Sequence, residues 1–167
     1  MIAFNEISLS DRERVLRYTL TSTRRNCDLS FSNLYSWRFL YQTQLAEKDG
    51  FLLIKFRVDG HVCYMMPVGD GDLRAVLHDL KEDAEAEGET FRMMGVCSHM
   101  RADLEEAAPD CFRFTADRDY YDYIYLRTDL ATLKGKRYQP KRNHINKFLR
   151  TYPDYQYLPL DATLVPE

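Results

Sequence analysis

The stretch FLLIKFRVDGHVCYMMP, residues 51–67, constrains the fold more than any other part of the chain. Two runs rich in β-branched and aromatic residues flank Asp59-Gly60, a pair suited to the positive φ angles of a type I′ turn. The spacing predicts a hairpin with strands over 51–57 and 61–66.

The flanking sequence supplies helices. Ser10 precedes DRERVLRYTL and Glu13 stands three residues on, a capping-box pattern. Val15, Leu16 and Leu20 follow near helical spacing, which predicts a helix over 10–22. In DLSFSNLYSWRFLYQ, either Asp28 or Ser30 can cap a second short helix carrying Phe31, Leu34, Tyr35 and Trp37. YQTQLAEKD then reads as a strand. Beyond the hairpin, PVGDGD leads into LRAVLHDLKEDAEAEG, where Leu73, Val76, Leu77 and Leu80 mark one face of a third helix and Gly88 ends it. FRMMGVC reads as a strand and MRADLEEAA as a short helix stopped by Pro109. CFRFT, YDYIYLR and residues 155–160 read as further strands.

Three consecutive strands followed by alternating elements indicate an α+β chain with a mixed central sheet flanked by helices. After Arg127 the pattern changes to helix, helix, strand. Residues 1–127 therefore read as one domain, and 128–167 as basic connecting helices with the start of a second. With 45% hydrophobic residues, the 167-residue chain can bury a proper core. No apolar run reaches the roughly 18–20 residues of a membrane helix. The opening MIAFNEISLSDRER lacks a basic-then-apolar leader, so the expectation is a cytoplasmic protein with no transmembrane segment. Four widely spaced cysteines, without a CxxC pair, indicate neither a disulfide framework nor a zinc ribbon. His61 with Cys63 and Cys97 with His99 share a two-residue spacing, but buried structural thiols are the commoner outcome and no metal is expected.

The segment LATLKGKRYQPKRNHINKF, residues 130–148, stands out from a chain of net charge −3. It holds Lys134, Lys136, Arg137, Lys141, Arg142 and Lys147 and only basic charges. Pro140 suits the first position of a helix, and Ile145, Phe148, Leu149 and Tyr152 then form one apolar stripe. Cations at a helix N-terminus oppose its dipole by about 0.3–1 kcal/mol each. A bound phosphate would offset that cost. The structural alternative is a solvated basic face, or one docked on the chain's own acidic helix carrying Asp79, Glu82, Asp83, Glu85, Glu87 and Glu89. Asp119 and Asp122 are further carboxylates that could pair with the segment.

The run DYIYLRTDLATLKGKRYQPKRNHINKF, with FSNLYSW and YMMPVGDGD upstream, resembles uncharacterised bacterial relatives of the phosphatidylglycerol lysyltransferase C-terminal domain. The resemblance implies an acetyltransferase-like (GNAT) fold, usually two such domains in tandem, related to Fem-type transferases. It implies transfer of an aminoacyl or acyl group to an amine or lipid headgroup, with aminoacyl-tRNA or acyl-CoA as donor. It implies that Lys134, Lys136, Lys141, Arg142 and Asn143 contact donor phosphates, and that tRNA, an anionic lipid headgroup or a second GNAT-like domain of the same chain is the partner. The phosphate loop of coenzyme A-using members falls at Met66–Asp72, where Asp70 and Asp72 would repel phosphate. Asp72 there reads as a helix cap.

Acyl transfer needs a base, an acid and oxyanion donors. His99 is the best-placed base, because its reference pKa lies near working pH. Tyr121, from the cluster with Tyr120 and Tyr123, is the candidate acid. The bland alternative has His99 at a helix start and the tyrosines packing. In a non-catalytic reading, the basic segment binds RNA, anionic lipid or a partner domain.

Overall fold

A computed structural model describes residues 2–24, 26–121, 123–161 and 163–164. Its strands are β1 (Asn5–Glu6), β2 (Gln44–Lys48), β3 (Phe51–Val58), β4 (His61–Tyr64) and β5 (Val68–Gly69). Its helices are α1 (Arg12–Thr19), α2 (Phe31–Ser36), α3 (Arg38–Tyr41), α4 (Leu73–Ala86), α5 (Ser98–Ala107), α6 (Arg127–Thr132) and α7 (Gln139–Thr151). The chain divides into two compact units, Met1–Asp117 and Arg118–Glu167.

In the first unit β2, β3 and β4 form a meander closed by two turns of one kind. Asp59 and Gly60 have φ of 51° and 81°, the expected type I′ pattern. Asp49 and Gly50 repeat it at 49° and 84°, pairing Lys48 with Phe51. β1 adds antiparallel to β2. β4 and β5 lie along the other edge of β3, so the sheet runs β1-β2-β3-β4 with β5 also on β3. The ladders are antiparallel, and one isolated parallel bridge, outside those ladders, joins Tyr64 to Met93.

Helices cover both faces of this sheet. Alternate residues of β3 explain why: Leu52 and Ile54 pack with Val15, Leu29, Phe31 and Leu34 from the α1–α2 side. Phe51 and Leu53 pack with Val76, Leu80 and Ala84 of α4. Five successive residues, Phe51–Lys55, are consequently buried. A third cluster joins Leu77 of α4 to Met100 and Leu104 of α5.

The caps agree with local chemistry, with one shift. Ser30 accepts from the Asn33 amide, and Asp72 accepts from the Ala75 amide at 3.1 Å. At the far end of α4, Gly88 N–H reaches Glu85 O and Glu89 N–H reaches Ala84 O, a Schellman pair at a glycine with φ 73°. Before α1 the capping pair is Ser8 with Asp11, not Ser10 with Glu13. The Asp11 carboxylate accepts from the Ser8 amide at 2.7 Å and from its hydroxyl. Gly69 and Gly71 serve packing: a Cβ on Gly69 would lie 2.1 Å from Gly50 O, and one on Gly71 would lie 2.4 Å from Asp49 O.

Four expected strands differ. Residues 91–97 contribute only the Met93 bridge, flanked by bonds from Tyr64 N–H to Arg92 O and from Met94 N–H to Tyr64 O. Gly95, at φ 70°, turns the chain away immediately after it. Residues 111–115, 121–127 and 155–160 form no strand among the described residues. Strand propensity needs a partner edge to become a ladder. Phe112 and Phe114 instead pack against the third cluster, while Tyr123, Ile124, Tyr157 and Leu160 stand exposed.

Candidate anion-binding site

The basic segment folds within the second unit as a helix, a turn and a helix. α6 ends at Leu133, whose φ of 47° is left-handed, and Gly135 follows at 93°. A single turn of 3-10 helix, Lys136–Tyr138, then feeds α7, which carries proline in its first turn. Two side chains fix this geometry. Tyr138 is buried and donates to the Asp129 carboxylate of α6 at 3.0 Å. Burial first, and that carboxylate second, push its hydroxyl pKa up. Arg142 reaches back to donate to Leu133 O, to Gly135 O at 2.8 Å and to the Gln139 side chain.

The expected phosphate ligands thus divide. Arg142 is half-buried and clamps the turn that carries Lys134 and Lys136. Asn143 accepts from the Gln139 amide at 2.8 Å. Lys134, Lys136 and Lys141 are exposed, and Lys141 Nζ stands 4.9 Å from the Tyr125 ring. No side chain caps the N-terminus of α7. Among the described residues, the lysines and arginines of this unit make no ion pair, whereas the ion pairs of the first unit are many.

The acidic helix proposed as a structural partner is already matched inside its own unit. Asp79 pairs with Lys48 at 2.6 Å, Asp83 with Lys55 at 2.7 Å, and Glu87 with Lys55 and Arg57. Glu89 faces His61 and Arg92, Glu85 faces Lys81, and Glu82 faces His78. Asp122 lies outside the described residues.

The candidate acid and base fall in separate units. His99 is the exposed second residue of α5 in the first unit. Tyr121 belongs to the second unit, 56% exposed, with the Arg118 guanidinium 5.6 Å from its ring. The two Cys/His pairs do not converge on a metal site among the described residues. The ligand-bearing side chains that do approach within 4.8 Å of one another are His78, Asp79 and Glu82 of α4. Cys63 is buried, and its thiol pKa is pushed up by that burial.

Sequence reasoning missed the most buried charge among the described residues. Lys55, in β3, is buried beneath α4 and bonded to Asp83 and Glu87. Tyr64 donates to the same Asp83 carboxylate at 2.6 Å. The signal was present as a lysine inside an apolar strand run, with two carboxylates four residues apart on the last turn of the following helix and at its C-terminal cap.

The family model of the phosphatidylglycerol lysyltransferase C-terminal domain matches residues 20–167, from just past the end of α1 through α7 and beyond. The chain belongs to that family. A crystal structure of a conserved protein of unknown function from Bacteroides thetaiotaomicron VPI-5482 is similar, with 61% identity and a TM-score of 0.84. The match covers 96% of this chain and 54% of that one, so the chain spans about half the length of its solved relative. Among curated proteins none matches. Among the described residues no helix is long and apolar enough to cross a membrane.

Proposed function

We propose that this chain forms part of an acyltransferase of GNAT-like fold that moves an aminoacyl or acyl group from a phosphate-bearing donor to an amine or a lipid headgroup. Aminoacyl-tRNA or acyl-CoA is the donor class, and the Lys134–Lys141 turn holds its phosphates. On this reading residues 1–127 form a GNAT-like domain and 128–167 open a second. The observation that carries it is the unpaired cation cluster, Lys134, Lys136 and Lys141, at the uncapped N-terminus of α7. Membership of the lysyltransferase family supports the reaction class. The dipole end and the lysines attract phosphate together, without reading base sequence. Arg142 holds the turn in shape. His99 and Tyr121 are proposed as base and acid of the full-length protein.

A second reading follows from the α7 stripe. Ile145, Phe148, Leu149 and Tyr152 are between 41% and 56% exposed beside the same cations. On that reading the domain is non-catalytic and binds RNA, anionic lipid or a partner domain through this face.

The test is binding of charged tRNA, uncharged tRNA and coenzyme A to the intact chain at two salt concentrations. A Lys134→Ala/Lys136→Ala/Lys141→Ala variant serves as control and leaves Arg142 in place. If three phosphates are neutralised, the affinity for tRNA should fall steeply with salt, with a log–log slope of about −2 to −3. The variant should lose most of that slope. Binding of neither donor class by a folded chain would refute the donor site.

A further inference from the structure

A cavity of about 370 Å³ opens in the first unit where α3 meets the ends of β1, β2 and β3. It owes nothing to the basic segment, which belongs to the other unit. Its walls carry Glu6, Arg38, Gln42 and Gln44, the ion-paired group of Lys55, Arg57 and Glu87, and the rings of Phe39 and Phe56. Strand register explains part of this arrangement. Glu6 lies opposite Gln44, and Gln44 opposite Lys55, so three polar side chains form a row on one face of the sheet. α3 ends at Gln42 in the left-handed conformation, φ 48° and ψ 45°, which folds the chain back into β2, and Arg38 of α3 lines the same cavity as the row.

The charges of the cavity fall into two classes. Lys55 is matched by Asp83 and Glu87, and Arg57 by Glu87. Arg38 and Glu6 make no ion pair with any described residue. Arg38 is nevertheless held in place. Its Nη1 donates to Tyr35 O at 2.6 Å, and its Cζ lies 3.6 Å from the Tyr35 ring centroid and 3.9 Å from that of Phe39. Aromatic stacking of this kind fixes the guanidinium plane while leaving its remaining N–H groups free to donate. The side-chain amides of Gln42 and Gln44 likewise have no partner among the described residues.

We propose that this cavity binds a small zwitterion of the α-amino-acid type. The carboxylate sits on the oriented Arg38 fork, the ammonium on Glu6, and the Gln42 and Gln44 amides complete the polar shell. An isolated anion would leave Glu6 facing it, and an isolated cation would leave Arg38 facing it. Only a ligand bearing both charges matches the two unpaired groups. A cavity near the low end of the usual size range takes a small molecule rather than a polymer.

The experiment is a titration of the intact chain with glycine and with serine, followed by calorimetry and by amide chemical shifts. Acetate and methylammonium at matched ionic strength serve as single-charge probes. Glycine and serine should saturate, perturbing amides around Arg38–Gln44 and Asn5–Glu6. Acetate and methylammonium should bind at least about tenfold more weakly, the loss expected when one charge-assisted contact is absent. Arg38→Gln and Glu6→Gln should each weaken glycine binding by about tenfold or more. Glu6 is exposed on an edge strand, so Glu6→Gln decides the matter if Arg38→Gln does not fold. The Lys134→Ala/Lys136→Ala/Lys141→Ala variant should bind glycine as the parent does, which separates this site from the donor surface. Failure of both zwitterions to saturate would overturn the proposal. Acetate binding as tightly as glycine, or a folded Glu6→Gln that binds unchanged, would overturn it as well.

Discussion

Removal of the Asp83 carboxylate tests whether the buried ammonium of Lys55 is held by its partners or merely tolerated. Asp83 and Asp79 stand one turn apart on α4, each bonded to a lysine of the sheet, so truncating either to alanine changes helix propensity equally. Their surroundings differ. The Lys55 and Asp83 side chains are 8% and 11% exposed, against 30% and 23% for Lys48 and Asp79. Asp83 also accepts the Tyr64 hydroxyl at 2.6 Å. Breaking a buried pair by deleting one partner costs about 3–5 kcal/mol. Glu87 remains as a second acceptor for Lys55, which places Asp83→Ala at the lower end, about 3 kcal/mol. Asp79→Ala, in a partly exposed pair, should cost no more than about 1 kcal/mol.

Urea unfolding followed through Trp37 fluorescence measures both, because the single tryptophan lies in the unit that contains the network. With a typical urea slope of about 1–3 kcal/mol per molar, Asp83→Ala should lower the midpoint by about 1–3 M. Adding Lys55→Met to Asp83→Ala should recover part of the loss, since the unmatched charge is then gone. Equal midpoints for Asp83→Ala and Asp79→Ala, within about 0.5 kcal/mol, would refute the idea that burial sets the strength of these pairs.

Burial, and then the bond to Asp83, raise the Tyr64 hydroxyl pKa well above its ordinary value of 10.0. The folded state therefore keeps that proton longer than the unfolded one. Its contribution is complete below pH 10 and is lost as pH rises through the window above it; Tyr64→Phe should flatten the alkaline fall of the urea midpoint between about pH 10 and 11. A separate substitution, Arg142→Ala, should speed amide exchange across residues 133–138 by about tenfold or more, because two carbonyls lose a charged donor. Arg142→Lys should not restore protection, since an ammonium lacks the fork that reaches both carbonyls; unchanged exchange by mass spectrometry in either variant would remove the clamp.

The parts of this fold legible in the sequence are those whose cause is local. Asp59-Gly60 states its own turn angles, Asp72 and Gly88 bracket α4, and Val76, Leu77 and Leu80 mark the face that α4 buries. The same Asp-Gly signal at residues 49–50 was equally local and equally readable. The misread segments are those whose structure is decided by distant partners. YDYIYL has strand composition, yet composition supplies only one side of a ladder, and no described segment offers the other. The family resemblance was legible because the basic segment is continuous in sequence, whereas the Arg38 cavity was not, because Glu6, Arg38 and Lys55 meet only through strand register and a left-handed residue. Arg142 shows why charge alone is a poor guide to a ligand. Among six cations in one basic run, it is the one bonded to three oxygens of its own turn. A basic run therefore divides into side chains that build a site and side chains left free to bind. In this chain Arg142 is bonded within its own turn, whereas Lys134, Lys136 and Lys141 are exposed, which is why the proposed donor contacts fall on the lysines.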